Sequence, residues 1–171
     1  MTGARVKSEA NRELIINALG RETAMVSAVR HVLLVEDNPA HAKLMKRILR
    51  DFGDCVRIDH VADGAAALEY LFRREQGEVP RELPDLVLLD LRIPKYDGLT
   101  VLQKIKEDPF LRHIPVVVLS TSDAEADVQG AFDRFANSYL VKPIEYLQFV
   151  RLVRSLGTYW TELNRTLSPK A

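Results

Sequence analysis

The stretch DLVLLDLRIPKYDG, residues 85–98, decides the architecture of this chain. Leu86, Val87, Leu88 and Leu89 run without polar alternation, the pattern of a strand covered on both faces. The run stops at Asp90, a residue able to do chemistry, and Asp97-Gly98 reads as a turn leading into a helix. A buried strand of this kind needs helices above and below it, so the flanking sequence should alternate strand and helix.

It does so in both directions. Upstream, HVLLV (31–35) is a second buried run, bounded by Glu36-Asp37-Asn38-Pro39. Asn38 suits a helix cap and Pro39 the first helical position. The following helix places Leu44, Met45, Ile48, Leu49 and Phe52 on one face and is expected to stop at Gly53. CVRIDHV (55–61) alternates as a half-buried strand, with Cys55 a buried thiol at its start, and Gly64 to Arg74 reads as a helix. Arg74 to Pro84 is polar, carries two prolines and exceeds the usual ~2–6 residue connection, so it looks like an insertion. Downstream come a helix over Leu99–Lys106, the strand PVVVLS (115–120), a helix over Ala124–Phe135, the strand SYLV (138–141) and a long helix from Ile144. The expectation is an α/β fold: a flavodoxin-like, doubly wound, five-stranded parallel sheet of order 2-1-3-4-5 with helices on both faces. Its ligand site should lie beyond the carboxyl ends of the strands.

Those ends carry the chemistry. The first strand is followed by Glu36 and Asp37, the third by Asp90 and the fifth by Lys142-Pro143, while the fourth ends in Ser120. Three crowded carboxylates repel one another and demand a cation, and hard oxygen ligands suit Mg²⁺ better than zinc. Lys142 adds a point charge, and Ser120 a hydroxyl for a phosphoryl oxygen. A carboxylate, Mg²⁺, a lysine and a hydroxyl make a phosphoryl-transfer site that works by positioning and charge neutralisation.

In order, spacing and context, Glu36-Asp37, Asp90 within DLRIPKYDG, Ser120 and Lys142-Pro143 resemble the response-regulator receiver pattern over about residues 31–156. The resemblance implies that Asp90 is the phosphoacceptor, Asp37 a direct Mg²⁺ ligand and Glu36 a residue that positions the metal. It implies a metal ligand in the backbone carbonyl of Arg92, phosphoryl contact by Lys142, and switch roles for Ser120 and Tyr139. A cis Lys142–Pro143 bond is implied too, as is a phosphohistidine donor on a sensor histidine kinase. The insertion before the third strand, IKEDPFLRHIPVVVLSTS and the aromatic-rich end with Trp160 resemble the single-domain response regulators of bacterial and cyanobacterial phytochromes. A bacteriophytochrome is the implied partner.

Other features bound the reading. Acidic and basic residues balance at 24 each, which gives no global field toward nucleic acid or anionic membrane. A single cysteine, no long apolar run and no secretory signal lead to the expectation of a cytoplasmic protein. Residues 1–30 form an N-terminal extension with a short helix expected over Ser8–Leu19, or an upstream piece of a chain starting at Met25. Residues 157–171 extend the last helix into a tail. That tail is too short for an output domain, so output is expected to be a protein contact. Apolar and aromatic residues cover about half the circumference of the last helix, whereas packing on one core needs a stripe of only ~100°. The surplus is read as a homodimer face shared with the fourth helix and fifth strand, in preference to a surface covered by the N-terminal segment or the tail. His31, His41, His60 and His113 have no metal-ligand spacing and read as structural or surface groups. A constitutive binding module without phosphorylation is the rival function. An aspartyl-intermediate hydrolase would need an acid where Arg92 stands, so the chain reads as a phosphoacceptor and not an enzyme.

Overall fold

Leu86–Leu89 lies at the centre of a five-stranded sheet, as its uniformly apolar sequence requires. A computed structural model of the chain describes residues 26–27, 29, 31–52, 56–73, 83–164 and 166–167. The sheet strands are β1 (His31–Val35), β2 (Arg57–Val61), β3 (Leu86–Leu89), β4 (Val116–Ser120) and β5 (Ser138–Val141). They are all parallel and pair in the order β2-β1-β3-β4-β5, the predicted arrangement. The helices are α1 (Pro39–Arg50), α2 (Gly64–Phe72), α3 (Gly98–Glu107), α4 (Glu125–Asp133) and α5 (Tyr146–Thr158). Alpha5 runs on through a π-helical turn over Tyr159–Leu163.

Side-chain alternation along the central strands splits the core into two layers. Leu33, Val35, Val87 and Leu89 face Ala67 and Leu71 of α2, Val101, Leu102 and Ile105 of α3 and Ala131 of α4. Val32, Leu34, Leu86 and Leu88 face Met45, Ile48 and Leu49 of α1 and Phe149, Val153 and Leu156 of α5. Each fully buried leucine contributes about 1.5–3 kcal/mol relative to an exposed one. The edge strands β2 and β5 are only half buried, and β2 carries polar alternation accordingly.

The helix starts are written locally. Asn38 accepts from the amides of Ala40 and His41 at 2.9 and 3.2 Å, with Pro39 at the first helical position. Asp63 and Asp97 cap α2 and α3 in the same way. Each cap fixes where the chain turns away from the sheet, and so where the strand-end residues point.

The second helix stops at Phe72, short of the expected Arg74, and the fourth covers Glu125–Asp133. The expected helix over Ser8–Leu19, Cys55, the stop at Gly53 and most of the Arg74–Pro84 insertion lie outside the described residues. Val26–Ser27 pairs antiparallel with Thr166–Leu167, which joins the segment before β1 to the one after the π-helical turn. Between them Val29 and Trp160 are buried in the α1/α5 layer. Among the described residues no helix is long and apolar enough to cross a membrane.

Candidate functional site

Strand pairing carries past the strand ends and delivers the site residues to one place. The amide of Glu36 donates to the carbonyl of Val61 at 3.1 Å, that of Asp90 to Val35 at 3.0 Å and that of Lys142 to Ser120 at 2.7 Å. Glu36, Asp90 and Lys142 are therefore each the first residue beyond their strands, and Ser120 the last within its own, all held by the ladder itself.

Lys142 is the hub. Its Nζ donates to Oε2 of Glu36 and to Oδ2 of Asp90, both at 2.5 Å. All three residues are almost fully buried, at 4%, 1% and 6% exposure respectively, so the charges meet in a medium of low effective dielectric. Asp37 is exposed at the rim, and one carboxylate oxygen from each of Glu36, Asp37 and Asp90 lies within 4.8 Å of the others. Three carboxylates against one ammonium leave two negative charges uncompensated. An all-oxygen donor set of that charge, open on the Asp37 side, fits a hard divalent cation such as Mg²⁺ or Mn²⁺.

The remaining predicted residues surround this core. The amide of Arg92 donates to Oδ1 of Asp90 at 3.1 Å, which ties the following loop to the acid. The Arg92 side chain turns outward and pairs with Asp127 of α4 at 2.6 Å. Ser120 is completely buried, and its hydroxyl oxygen accepts from the amide of Ser122 at 3.2 Å. Tyr139 is half buried, and its hydroxyl donates to the carbonyl of Ser122 at 2.8 Å. Burial pushes the Tyr139 phenol above its ordinary value, so the ring keeps the proton that makes this bond. Gly98 packs under the acid: a Cβ there would lie 2.4 Å from the carbonyl oxygen of Asp90.

The Lys142–Pro143 bond corrects one expectation. It is trans, as is every described peptide bond. A trans X–Pro bond is intrinsically favoured by about 0.5–1 kcal/mol, and Lys142 reaches both carboxylates with it.

Two histidines read as structural or surface groups prove to bracket Glu36. His60, next to last in β2, has Nε2 at 2.8 Å from the Glu36 carbonyl oxygen. His41, in the first turn of α1, has Nδ1 at 3.5 Å from Glu36 Oε1. Their places, beside a strand end and inside the turn that starts at the site, were the available signal; metal-ligand spacing was the wrong test for them. Asp127 was missed as well, since nothing local links it to Arg92. His31, at the opposite end of β1, joins Asp59 and Tyr70 and takes no part in the site.

Residues 32–154 match the family model for the response regulator receiver domain. The chain is 47% identical over 138 residues to the probable methanogenesis regulatory protein FilR2 of Methanothrix harundinacea, covering 81% of this chain and 88% of that protein. It is 40% identical over 138 residues to the response regulator Rcp1 of Synechocystis sp., covering 77% and 88%. Among solved structures, the phosphorylated cyanobacterial phytochrome response regulator RcpA superposes with a TM-score of 0.76 at 37% identity, over 82% of this chain and all of that one. The Mn²⁺-bound form of Rcp1 superposes with a TM-score of 0.75 at 36% identity, over 81% and 99%.

Proposed function

Because this chain belongs to the response regulator receiver family of two-component signalling, we propose that Asp90 accepts a phosphoryl group from a histidine kinase with Mg²⁺ and thereby switches a protein-binding face. The observation that carries this reading is the Lys142 ammonium shared between the buried carboxylates of Glu36 and Asp90, with Asp37 beside them. Relatedness to phytochrome response regulators makes a phytochrome-type kinase the favoured donor.

In the transfer, a carboxylate oxygen of Asp90 bonds to phosphorus as the phosphorus–nitrogen bond of the phosphohistidine breaks and the imidazole leaves. Glu36, Asp37, Asp90 and the Arg92 carbonyl would hold Mg²⁺, which supplies charge neutralisation at the transferring oxygens. Lys142 redirects one of its N–H hydrogen bonds from a carboxylate to a phosphoryl oxygen and keeps its charge. Ser120 turns its hydroxyl from the Ser122 amide to the same group, and Tyr139 follows into the space behind it. The acyl phosphate carries about −1.5 to −2 where the free carboxylate carried −1, and this more negative group with its three new acceptor oxygens drives these shifts.

The output face is the exposed apolar surface of α4, β5 and α5, which we assign to a homodimer. Phe132, Phe135, Val141, Ile144, Tyr146 and Leu147 are all exposed there, Ile144 completely. Solvent-facing aromatic and aliphatic groups in such density mark an interaction surface.

Incubation of the protein with acetyl phosphate and Mg²⁺, followed by intact mass measurement, tests the chemistry. One added phosphoryl mass on wild type and none on Asp90→Asn is expected. An unmodified wild type overturns the reading in favour of a constitutive binding module. Light scattering at micromolar concentration, with and without a phosphoryl mimic, tests the face, and a monomer under both conditions removes it.

A further inference from the structure

His41 is the third residue of α1. Its Nδ1 is the one buried side-chain nitrogen or oxygen among the described residues without a hydrogen-bond partner. It faces Oε1 of Glu36 at 3.5 Å, beyond the ~2.7–3.2 Å of a good N–H···O bond. On its other side the ring lies against Phe149 of α5, with centroids 5.4 Å apart and planes inclined by 35°. Phe149 is itself buried, so the imidazole is backed on one side and faces the acid on the other.

An unpaired buried polar atom is costly, and a native protein that keeps one calls for an explanation in its function. Here the explanation lies in how Glu36 is occupied. Its Oε2 takes the Lys142 ammonium at 2.5 Å and its Oε1 the Asn38 amide at 3.2 Å. A cation drawn to these acids competes with the Lys142 ammonium for Glu36. As that donor is loosened, the carboxylate needs another hydrogen bond to hold it while its negative charge serves the cation. A shift of about half an ångström would bring Nδ1 of His41 within bonding distance of Oε1.

We propose that His41 is a positioning residue for the cation site: it donates its Nδ1 hydrogen to Oε1 of Glu36 when the cation is bound, and so holds the carboxylate in place. The role rests on the receiver reading above. Carboxylates that serve a metal are commonly held by outer hydrogen bonds of this kind, and losing such a partner typically weakens the metal about 10- to 100-fold. His60 complements it from the backbone side by engaging the Glu36 carbonyl.

The test is calorimetric titration of Mg²⁺ into the full chain as wild type, His41→Phe and His41→Asn, with the cation-free melting temperature of each. Phenylalanine keeps a ring against Phe149 and lacks the donor, whereas asparagine returns an N–H near the position of Nδ1. The expected result is a dissociation constant about ten-fold weaker for His41→Phe, at the lower end of that range, and largely restored for His41→Asn. The cation-free melting temperature of His41→Phe should equal or exceed that of wild type, because an unpaired buried atom has gone. Equal affinity in wild type and His41→Phe overturns the proposal, as does equal weakening in both variants or a loss of affinity that tracks a loss of melting temperature. A wild type that neither binds Mg²⁺ nor is modified by acetyl phosphate overturns the receiver reading and this role together; one that does both, with His41→Phe unchanged, overturns this role alone.

Discussion

The guanidinium of Arg92 and the carboxylate of Asp127 meet at 2.6 Å, joining the loop after β3 to the first turn of α4. Arg92 is 65% exposed and Asp127 19%, so the pair bridges the rim of the site from the solvent side. An Arg92 engaged in this way is not free to cover a phosphoryl group on Asp90. Asp127 and a phosphoryl group on Asp90 would compete for one cation.

Removing the competitor should therefore lengthen the life of the acyl phosphate. An exposed pair of this type is worth ~0.2–1 kcal/mol, so Asp127→Asn should slow dephosphorylation by between about 1.4- and 5-fold. Arg92→Ala should speed it. Decay of the phosphorylated mass after removal of acetyl phosphate gives both half-lives, and identical values in all three proteins would dismiss the competition.

Among the described residues, Lys142 is the one ammonium that lies between two buried acids. Breaking a buried ion pair by removing one partner leaves charge uncompensated and costs about 3–5 kcal/mol. Lys142→Ala should lose stability of that order in urea denaturation without divalent cation and regain part of it in Mg²⁺. A variant as stable as wild type in the absence of Mg²⁺ would show that the acids do not depend on this lysine.

Gly98 is required by close approach. A Cβ on it would stand 2.4 Å from the carbonyl oxygen of Asp90 and 2.6 Å from Cα of Leu91, both backbone atoms unable to yield cheaply. Gly98→Ala should cost about 1–3 kcal/mol through overpacking and slow phosphorylation by displacing Asp90. Gly130→Ala in α4, whose nearest neighbour would be a leucine methyl at 3.4 Å, is the control and should be neutral or stabilising. Equal melting temperatures for the two variants would refute the contact argument.

Lys106 should give the protein a rising stability on the alkaline side. Its ammonium donates to the carbonyls of Arg112 and Ile114 and to the side chain of Asn137. Burial pushes it down to about 8 from the ordinary 10.5. Between those two values the unfolded chain binds the proton more strongly than the folded one, so folding stability rises with pH. The stability of wild type relative to Lys106→Met, from urea denaturation at a series of pH values, should improve from pH 8 toward pH 10.5. A difference that is flat across that window would contradict the shift.

The strands and the helix starts were legible because both depend on short-range patterns, and the strand order followed from the fold that the receiver resemblance implies. Unbroken apolar runs mark strands buried on both faces, the alternating run of β2 marks one edge, and Asn38, Asp63 and Asp97 place the helix starts through bonds to amides two or three residues away. Glu36, Asp90, Ser120 and Lys142 could be assigned to one pocket because parallel strands bring their carboxyl ends to one side. The trans geometry of Lys142–Pro143 and the partners of Arg92 and His41 were not legible in this way.

The amino-acid sequence by itself determined the strands, the helix starts and the set of groups that stand at the strand ends, since burial periodicity and capping act over a few residues. Only the tertiary structure decided which groups pair. Lys142 lies 106 positions from Glu36, and Arg92 lies 35 from Asp127. His41 is suspended between an acid of one strand end and an aromatic ring of the last helix. Such pairings depend on the spacing and rotation of elements packed on a common sheet, and these are set by the joint filling of the core, which no local stretch of sequence encodes.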